Sequence, residues 1–385
     1  MEKTLLISLD FLEYTPQKYV DIFLTKIEQL NFKACFYSRN EQRLMQYSNI
    51  INKGKNIYLN TRQEVNDYTA RYDNSSFVVI GCKNKDFELA VNHKILYITP
   101  TWFKIIENKA EIYGIKTNFN QLIAFLESVN NQNNWFSRTT LPDGTTILSL
   151  TDARYIKARK QSLLESEVSQ IIEDTLKRGR LEHRNIYLYH CLSGISNYST
   201  IFNDVNHWCI VPSSSGSLSN NEMFNFKESI RVMMKGQPLR SQEYKDYPNL
   251  ILRHTANNKT HDLPKHIRIS EGCKLHFPTI CINPAYKNKL SGKNVCVFDD
   301  YLTHGNSFET IRNLLRKAGV DKITFVTVGT FCNSYQYQEY NFQGDIYSPN
   351  YTPNFSNRYP IHMSSFNVNP NAKKEVENLH HIFHL

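Results

Sequence analysis

Short apolar runs separated by stretches of helical spacing recur along this chain, and that alternation restricts its fold more than any other feature. TLLISLD, FKACFYS, SFVVIG and KILYITP are such runs near the N-terminus, and after the first of them Tyr19, Phe23, Ile27 and Leu30 recur with the period of one helix face. Parallel strands need a crossover between them, so strands alternating with helices predict βαβ units. The same pattern returns later. TTILSL is followed by a helical stretch with Leu164, Val168, Ile171 and Thr175 on one face. NIYLYH, WCIVP, NLILR, TICIN, NVCVFDD and KITFVTVGTF then read as further strands. The expected class is α/β, with two doubly wound domains, each on a mostly parallel sheet. The Asn-rich VNNQNNWFS marks a break. The expected segments are a first domain over 1–135, a linker and helical segment over 136–184, a second domain over 185–335 and an aromatic-rich C-terminal segment over 336–385.

Composition narrows the setting. No apolar run approaches the roughly 18 residues of a membrane span, and Asp10 interrupts the apolar N-terminus, so that stretch reads as a buried strand. The eight cysteines are scattered, which fits neither a zinc spacing nor a disulfide framework and suits a reducing cytoplasm. A formal net charge of +9 favours anionic partners such as nucleotides, phosphates or nucleic acid.

The segment VCVFDDYLTHGNSFETIRNLLRKAG (295–319) carries the clearest chemistry. An apolar strand ends in two carboxylates, Asp299 and Asp300. A small polar turn follows, Thr303-His304-Gly305-Asn306-Ser307, and then an amphipathic helix opens. Such a turn aims backbone N–H groups at a helix N-terminus, which is an anion site. Gly305 lets the backbone approach a phosphate. The acids can accept from sugar hydroxyls or hold a hydrated Mg2+ ion.

FDDYLTHGNS resembles the 5-phosphoribosyl pyrophosphate (PRPP) signature of type I phosphoribosyltransferases. The resemblance implies that Asp299 and Asp300 contact the ribose hydroxyls, with Mg2+ held indirectly, and that Thr303, His304, Gly305, Asn306 and Ser307 cradle the 5′-phosphate. It covers roughly residues 185–335. In that family a strand-ending loop binds pyrophosphate, and WCIVPSSSGS places Ser213, Ser214 and Ser215 there, without the basic residue many members carry. LRHTANNKTHDLPKHIR is similar to the family's mobile loop, with Arg253, Lys259, His261 and Arg268 as its cations.

The first domain resembles the haloacid dehalogenase (HAD)-like family. Asp10 stands where that family has its nucleophile, Ser38 where it has a phosphoryl-binding hydroxyl, and Gly81 and Asp86 in its late acidic motif. The proton-donating acid two positions after the nucleophile is Leu12 here, and a magnesium-holding acid is Cys82. A carboxylate nucleophile without its acid is a poor catalyst, so a degenerate, structural or ligand-sensing domain is expected.

The expected function is a phosphoribosyltransferase-like enzyme that binds PRPP or a nucleotide and acts at ribose C1. The alternatives are a PRPP- or nucleotide-sensing regulator, and a bacterial stress or antiphage-defence effector that binds nucleic acid or an operon partner protein. The helix near 162–176 suits a core element or a homodimer surface. Tyr335, Tyr337, Tyr340, Phe342, Tyr347 and Tyr351 suit either a nucleobase hood or, more simply, packing of the C-terminal segment. His380, His381 and His384 cluster on a terminal helix with no acidic or Cys partner in sequence, which argues against a metal site.

Overall fold

The computed structural model describes residues 3–129, 133–154, 162–177, 184–218, 221–235, 249–257 and 264–384. It begins with β1 (Thr4–Ser8), α1 (Asp10–Tyr14), α2 (Gln17–Gln29), β2 (Lys33–Ser38), α3 (Glu41–Gln46), β3 (Ile57–Thr61) and α4 (Arg62–Thr69). There follow β4 (Phe77–Ile80), α5 (Asn84–Asn92), β5 (Leu96–Pro100), α6 (Asn108–Tyr113), β6 (Ile115–Thr117) and α7 (Phe119–Ser128). The six strands form one all-parallel sheet in the order β3-β2-β1-β4-β5-β6. All of β1 is buried, as a strand covered on both faces must be, which explains its unbroken apolar run. Val20, Phe23, Leu24 and Ile27 form the buried stripe of α2, while Tyr19 stays exposed. The chain winds outward from β1 through β2 to β3, then returns to β4 on the other side of β1. The β1–β4 junction is therefore a topological switch point, where an open α/β sheet leaves a crevice beyond its strand ends.

The second half begins with β7 (Ser137–Thr140) and β8 (Thr146–Asp152), which lie inside the segment expected as linker and helix. Next come α8 (Leu163–Lys177), α9 (Arg184–Asn197), α10 (Ser199–Phe202), β9 (His207–Ile210), α11 (Glu222–Lys235), β10 (Ile251–Arg253), α12 (Lys265–Glu271) and β11 (Ile280–Ile282). The chain closes with β12 (Asn294–Leu302), α13 (Asn306–Lys317), β13 (Lys322–Thr330), β14 (Tyr335–Gly344), β15 (Tyr351–Ile361), β16 (Asn367–Val368) and α14 (Asn371–Phe383). The second sheet runs β16-β7-β8-β13-β12-β9. Its four strands β8, β13, β12 and β9 are parallel, and β7 and β16 add antiparallel pairings. The protein is thus α/β, with one all-parallel and one mixed six-stranded sheet. Among the described residues no helix is long and apolar enough to cross a membrane.

Three sequence expectations change here. NIYLYH is not a strand but the start of α9, whose residues Ile186 to Ser196 are all buried. A helix covered on every side has no polar stripe, and a short piece of it reads like a strand. NLILR and TICIN do form strands, but as an antiparallel pair, β10 with β11, outside the parallel sheet. The expected set also lacked β3 and β6; β3 keeps only its first residue, Ile57, buried.

One continuous apolar core joins both sheets. It includes Leu6 and Ile98 of the first sheet, Leu148, Phe298 and Val326 of the second, and Tyr187, Phe226 and Leu379 of the helices between them. α9 touches β5 and β6 on one side and β8 on the other, and α11 packs against both α5 and β9. A second core on the far face of the second sheet joins Val295, Val297 and Phe325 to α13 and the β14–β15 hairpin. Tyr335, Tyr337, Tyr340 and Phe342 are buried in that core, so they pack the C-terminal segment.

Candidate functional site

The acid pair of the second sheet lies within β12, with two strand residues, Tyr301 and Leu302, still to follow, rather than after it. β9 stops with Ile210 opposite Phe298, so Asp299 and Asp300 occupy a stretch of β12 that has outrun that neighbour and keeps only β13. The alternation breaks at the pair. Val297 and Leu302 face one core, whereas Phe298 and Tyr301 face the other. Each acid spends one oxygen on the next backbone N–H, Asp299 Oδ1 on Asp300 (3.0 Å) and Asp300 Oδ1 on Tyr301 (2.7 Å). Both acids are half-buried.

The turn behind them is tightly built. Gly305 has a φ of +81°, and a Cβ there would stand 2.1 Å from the Tyr335 ring, so only glycine fits. His304 is buried, with Nδ1 3.2 Å from the Ser334 carbonyl. Asn306 donates Nδ2–H to the Arg268 carbonyl (2.7 Å) and accepts from Gln338 Nε2 (3.3 Å). Among the described residues, no acceptor takes the backbone N–H groups of Asn306, Ser307 or Phe308, the first turn of α13. Thr303 and Ser307 are half-buried. Glu309 in the same turn is fully buried, and Arg312 neutralises it through two hydrogen bonds of 2.9 and 2.7 Å.

The Ser213–Ser215 loop leaves β9 beside this stretch, since the Val211 N–H bonds the Phe298 carbonyl (2.8 Å). Arg253 on β10 reaches the loop, donating Nε–H to the Ser213 carbonyl (2.7 Å) and Nη1–H to Thr279 Oγ1 (2.5 Å). The acids, the turn, the serine loop, Arg253 and the α12 backbone at Arg268 therefore share one edge of the fold. Lys259 and His261 lie outside the described residues. The oxygen-only donors of Asp299 and Asp300 suit a hard cation such as Mg2+.

At the β1–β4 switch point the structure brings together Asp10 and Asp86. Asp10 opens α1, and its Oδ1 accepts from Lys83 Nζ (2.9 Å) and Arg43 Nη2 (2.8 Å), while Oδ2 accepts from Ser8 Oγ (3.0 Å). Burial pushes its carboxyl up, but Lys83 and Arg43 outweigh that and hold it below the usual carboxylate range. Asp86 Oδ2 accepts the Cys82 and Lys83 N–H groups (3.1 and 3.0 Å), and Oδ1 accepts from Tyr37 O–H (2.8 Å). Burial raises the Asp86 carboxyl and the Cys82 thiol. Ser38 is buried at the end of β2, and its Oγ accepts from the Asn40 N–H (3.1 Å).

Donor atoms of Asp10, Cys82 and Asp86 lie within 4.8 Å of one another. One ammonium and one guanidinium already sit on Asp10, both oxygens of Asp86 are engaged, and a protonated thiol is a poor partner for a hard ion. This group does not fit Mg2+. Sequence reasoning missed Arg43 and Lys83, since neither acquires meaning until the strand ends are placed side by side.

The strand edges thus define an α/β protein with a polar cluster at the C-terminal end of each sheet. No protein-family model, no curated protein and no solved structure matches this chain.

Proposed function

We propose that the β12–α13 edge binds the 5-phosphoribosyl group of PRPP or a nucleotide, and that the protein acts there at ribose C1 in the manner of a phosphoribosyltransferase. One observation carries the reading. Two half-buried carboxylates, a left-handed glycine turn and the unclaimed amides of a helix first turn follow one another at the end of a parallel strand, with a serine loop on the adjacent strand. In the proposed complex the amides of residues 306–308 hold the 5′-phosphate, and Asp299 and Asp300 hold the ribose hydroxyls. The serine loop faces the pyrophosphate. Mg2+, when bound beside the acids, would neutralise pyrophosphate charge. Electrostatic stabilisation of a departing pyrophosphate supplies the rate.

Thermal unfolding with PRPP and Mg2+, paired with pyrophosphate release, tests this. A ligand at 100 times its Kd adds about 2.7 kcal/mol of stability. The expected result is stabilisation by PRPP that disappears in Asp299→Ala/Asp300→Ala protein. No stabilisation by PRPP, pyrophosphate or nucleotides, or stabilisation unchanged in that variant, sinks the proposal.

A sensing role is the second reading, favoured by Arg253. Its guanidinium is engaged in holding the serine loop rather than left for a leaving group. The Asp10 cluster, with its nucleophile position tied down by two cations, is read in the same way as a degenerate phosphatase-like site. Binding without pyrophosphate release selects this reading over the enzymatic one.

A further inference from the structure

β14 pairs with β15 on one side only, and on the other side α13 and the turn before it stand in for a strand. The N–H of Gln336 bonds the His304 carbonyl (2.9 Å), that of Gln338 bonds Glu309 Oε2 (2.8 Å), and that of Tyr340 bonds Asn313 Oδ1 (2.9 Å). Every second residue of β14 is thus fixed against the candidate phosphate turn and its helix. Gln338, in the middle, is 1% exposed. Its Oε1 accepts the Cys273 N–H (3.1 Å), and its Nε2 donates to Asn306 Oδ1 (3.3 Å) and to the Gln336 carbonyl (3.3 Å). Asn306 in turn donates Nδ2–H to the Arg268 carbonyl (2.7 Å). The relay begins at a backbone N–H and ends at a backbone carbonyl, so each of its two side-chain amides has a single workable orientation. The chain leaves room for it, since a Cβ on Gly272 would stand 2.2 Å from Gln338 Oε1.

We propose that Gln338 is a positioning residue for the phosphate turn: by holding the Asn306 side-chain oxygen, it keeps the first-turn amides of α13 free for the 5′-phosphate. The inference rests on the reading of the β12–α13 edge as a phosphoribosyl site. A helix start ordinarily fills itself. A polar N-cap side chain accepts from the first-turn N–H groups, and an Asn side chain accepts from its own N–H or from the one two residues on. Here the N-cap is Gly305, which has no side chain to offer. Asn306 is the first residue of α13, so its oxygen stands one side chain away from the amides of residues 306–308. Held by Gln338, that oxygen is turned toward β14, and an anion at the turn meets N–H groups alone. Released, it accepts from those same amides and sets its partial negative charge against the phosphate. Gln338 touches no part of the ligand in this account and acts only through Asn306.

Calorimetric titration of the full chain with PRPP and Mg2+ tests this as a double-mutant cycle over the parent, Q338M, N306A and Q338M/N306A. Q338M in the parent background is expected to weaken PRPP about tenfold or more, the worth of one hydrogen bond to a charged group. In the N306A background the same change is expected to cost nothing, because the oxygen that Gln338 restrains is gone. A merely structural role predicts otherwise, since damage to the β14–α13 packing is not repaired by shortening Asn306. Q338N keeps a polar amide in the core, one methylene short of Asn306, and is expected to show the same loss and the same silence in the N306A background, so poor folding of Q338M leaves the test intact. Equal losses in both backgrounds, or none in either, overturn the role of Gln338 while PRPP binding by the parent still stands. A parent protein that does not bind PRPP overturns the phosphoribosyl reading, and this inference with it.

Discussion

Replacing Arg312 by methionine removes one charge from the most buried ionic network of the second sheet, directly behind the candidate phosphate turn. Glu309 is 0% exposed, and its carboxylate accepts from Arg312 Nε and Nη2 (2.9 and 2.7 Å), the Tyr335 hydroxyl (2.6 Å) and the Gln338 N–H (2.8 Å). Arg312 also bonds Asp143 (3.0 Å) and lies 4.2 Å over the Tyr337 ring. Methionine keeps much of the packing and leaves the carboxylate uncompensated. Breaking a buried pair from one side costs roughly 3–5 kcal/mol. The assay is equilibrium urea unfolding at neutral and at mildly acidic pH. Burial already raises the Glu309 carboxyl, and losing Arg312 raises it further. A group whose folded pKa is raised binds its proton better when folded, so the deficit of the variant is largest at high pH and shrinks as pH falls toward the carboxylate range. Adding Glu309→Gln to the variant recovers part of the loss. A deficit below about 1 kcal/mol at neutral pH, or one that grows on acidification, refutes the account.

Two further outcomes are expected. Gly305 and Gly144 share a left-handed φ, +81° and +84°, but only Gly305 has a side chain in the way. Gly144→Ala therefore costs about 1–2 kcal/mol for the backbone alone, and Gly305→Ala about 1–3 kcal/mol more for the clash with Tyr335; equal losses in urea unfolding count against the tight turn. Asp10→Asn removes the negative charge that Lys83 and Arg43 share, leaving two cations on a neutral amide, and costs about 1.5–3 kcal/mol. Because the folded pKa of Asp10 is depressed, that contribution is present above the ordinary carboxylate range and disappears as pH falls through the folded value. Hydrolysis of p-nitrophenyl phosphate by the parent protein, abolished in Asp10→Asn, contradicts the degenerate reading.

The strands that sequence revealed are those with dense apolar content, among them β1, β2, β4, β5, β12 and β13. Burial on both faces writes itself into such runs. β3 stayed hidden because Asn60 and Thr61 dilute its pattern at an edge of the sheet. α9 was misread for the opposite reason, since polar spacing vanishes when every side of a helix is covered. Asp10 was visible as a strand-end acid and Asp86 through the motif that follows β4, but the ion pairs that bind Asp10 to Arg43 and Lys83 depend on α1, α3 and the start of α5 meeting. The acid beside His380 was hidden for a similar cause. Glu167 lies far away in sequence and arrives, 3.3 Å from His380 Nε2, only because α8 packs on α14.

Eleven consecutive buried residues in α9 have a further consequence. Ordinary two-domain chains can be cut at a linker because each half keeps its own oil inside. Here the oil is held in common, and cutting the sheets apart would present a bare apolar rod to water from whichever half retained it. The two strand-end clusters are therefore inherited as one solid piece, each standing on a foundation that the other helps to wall in.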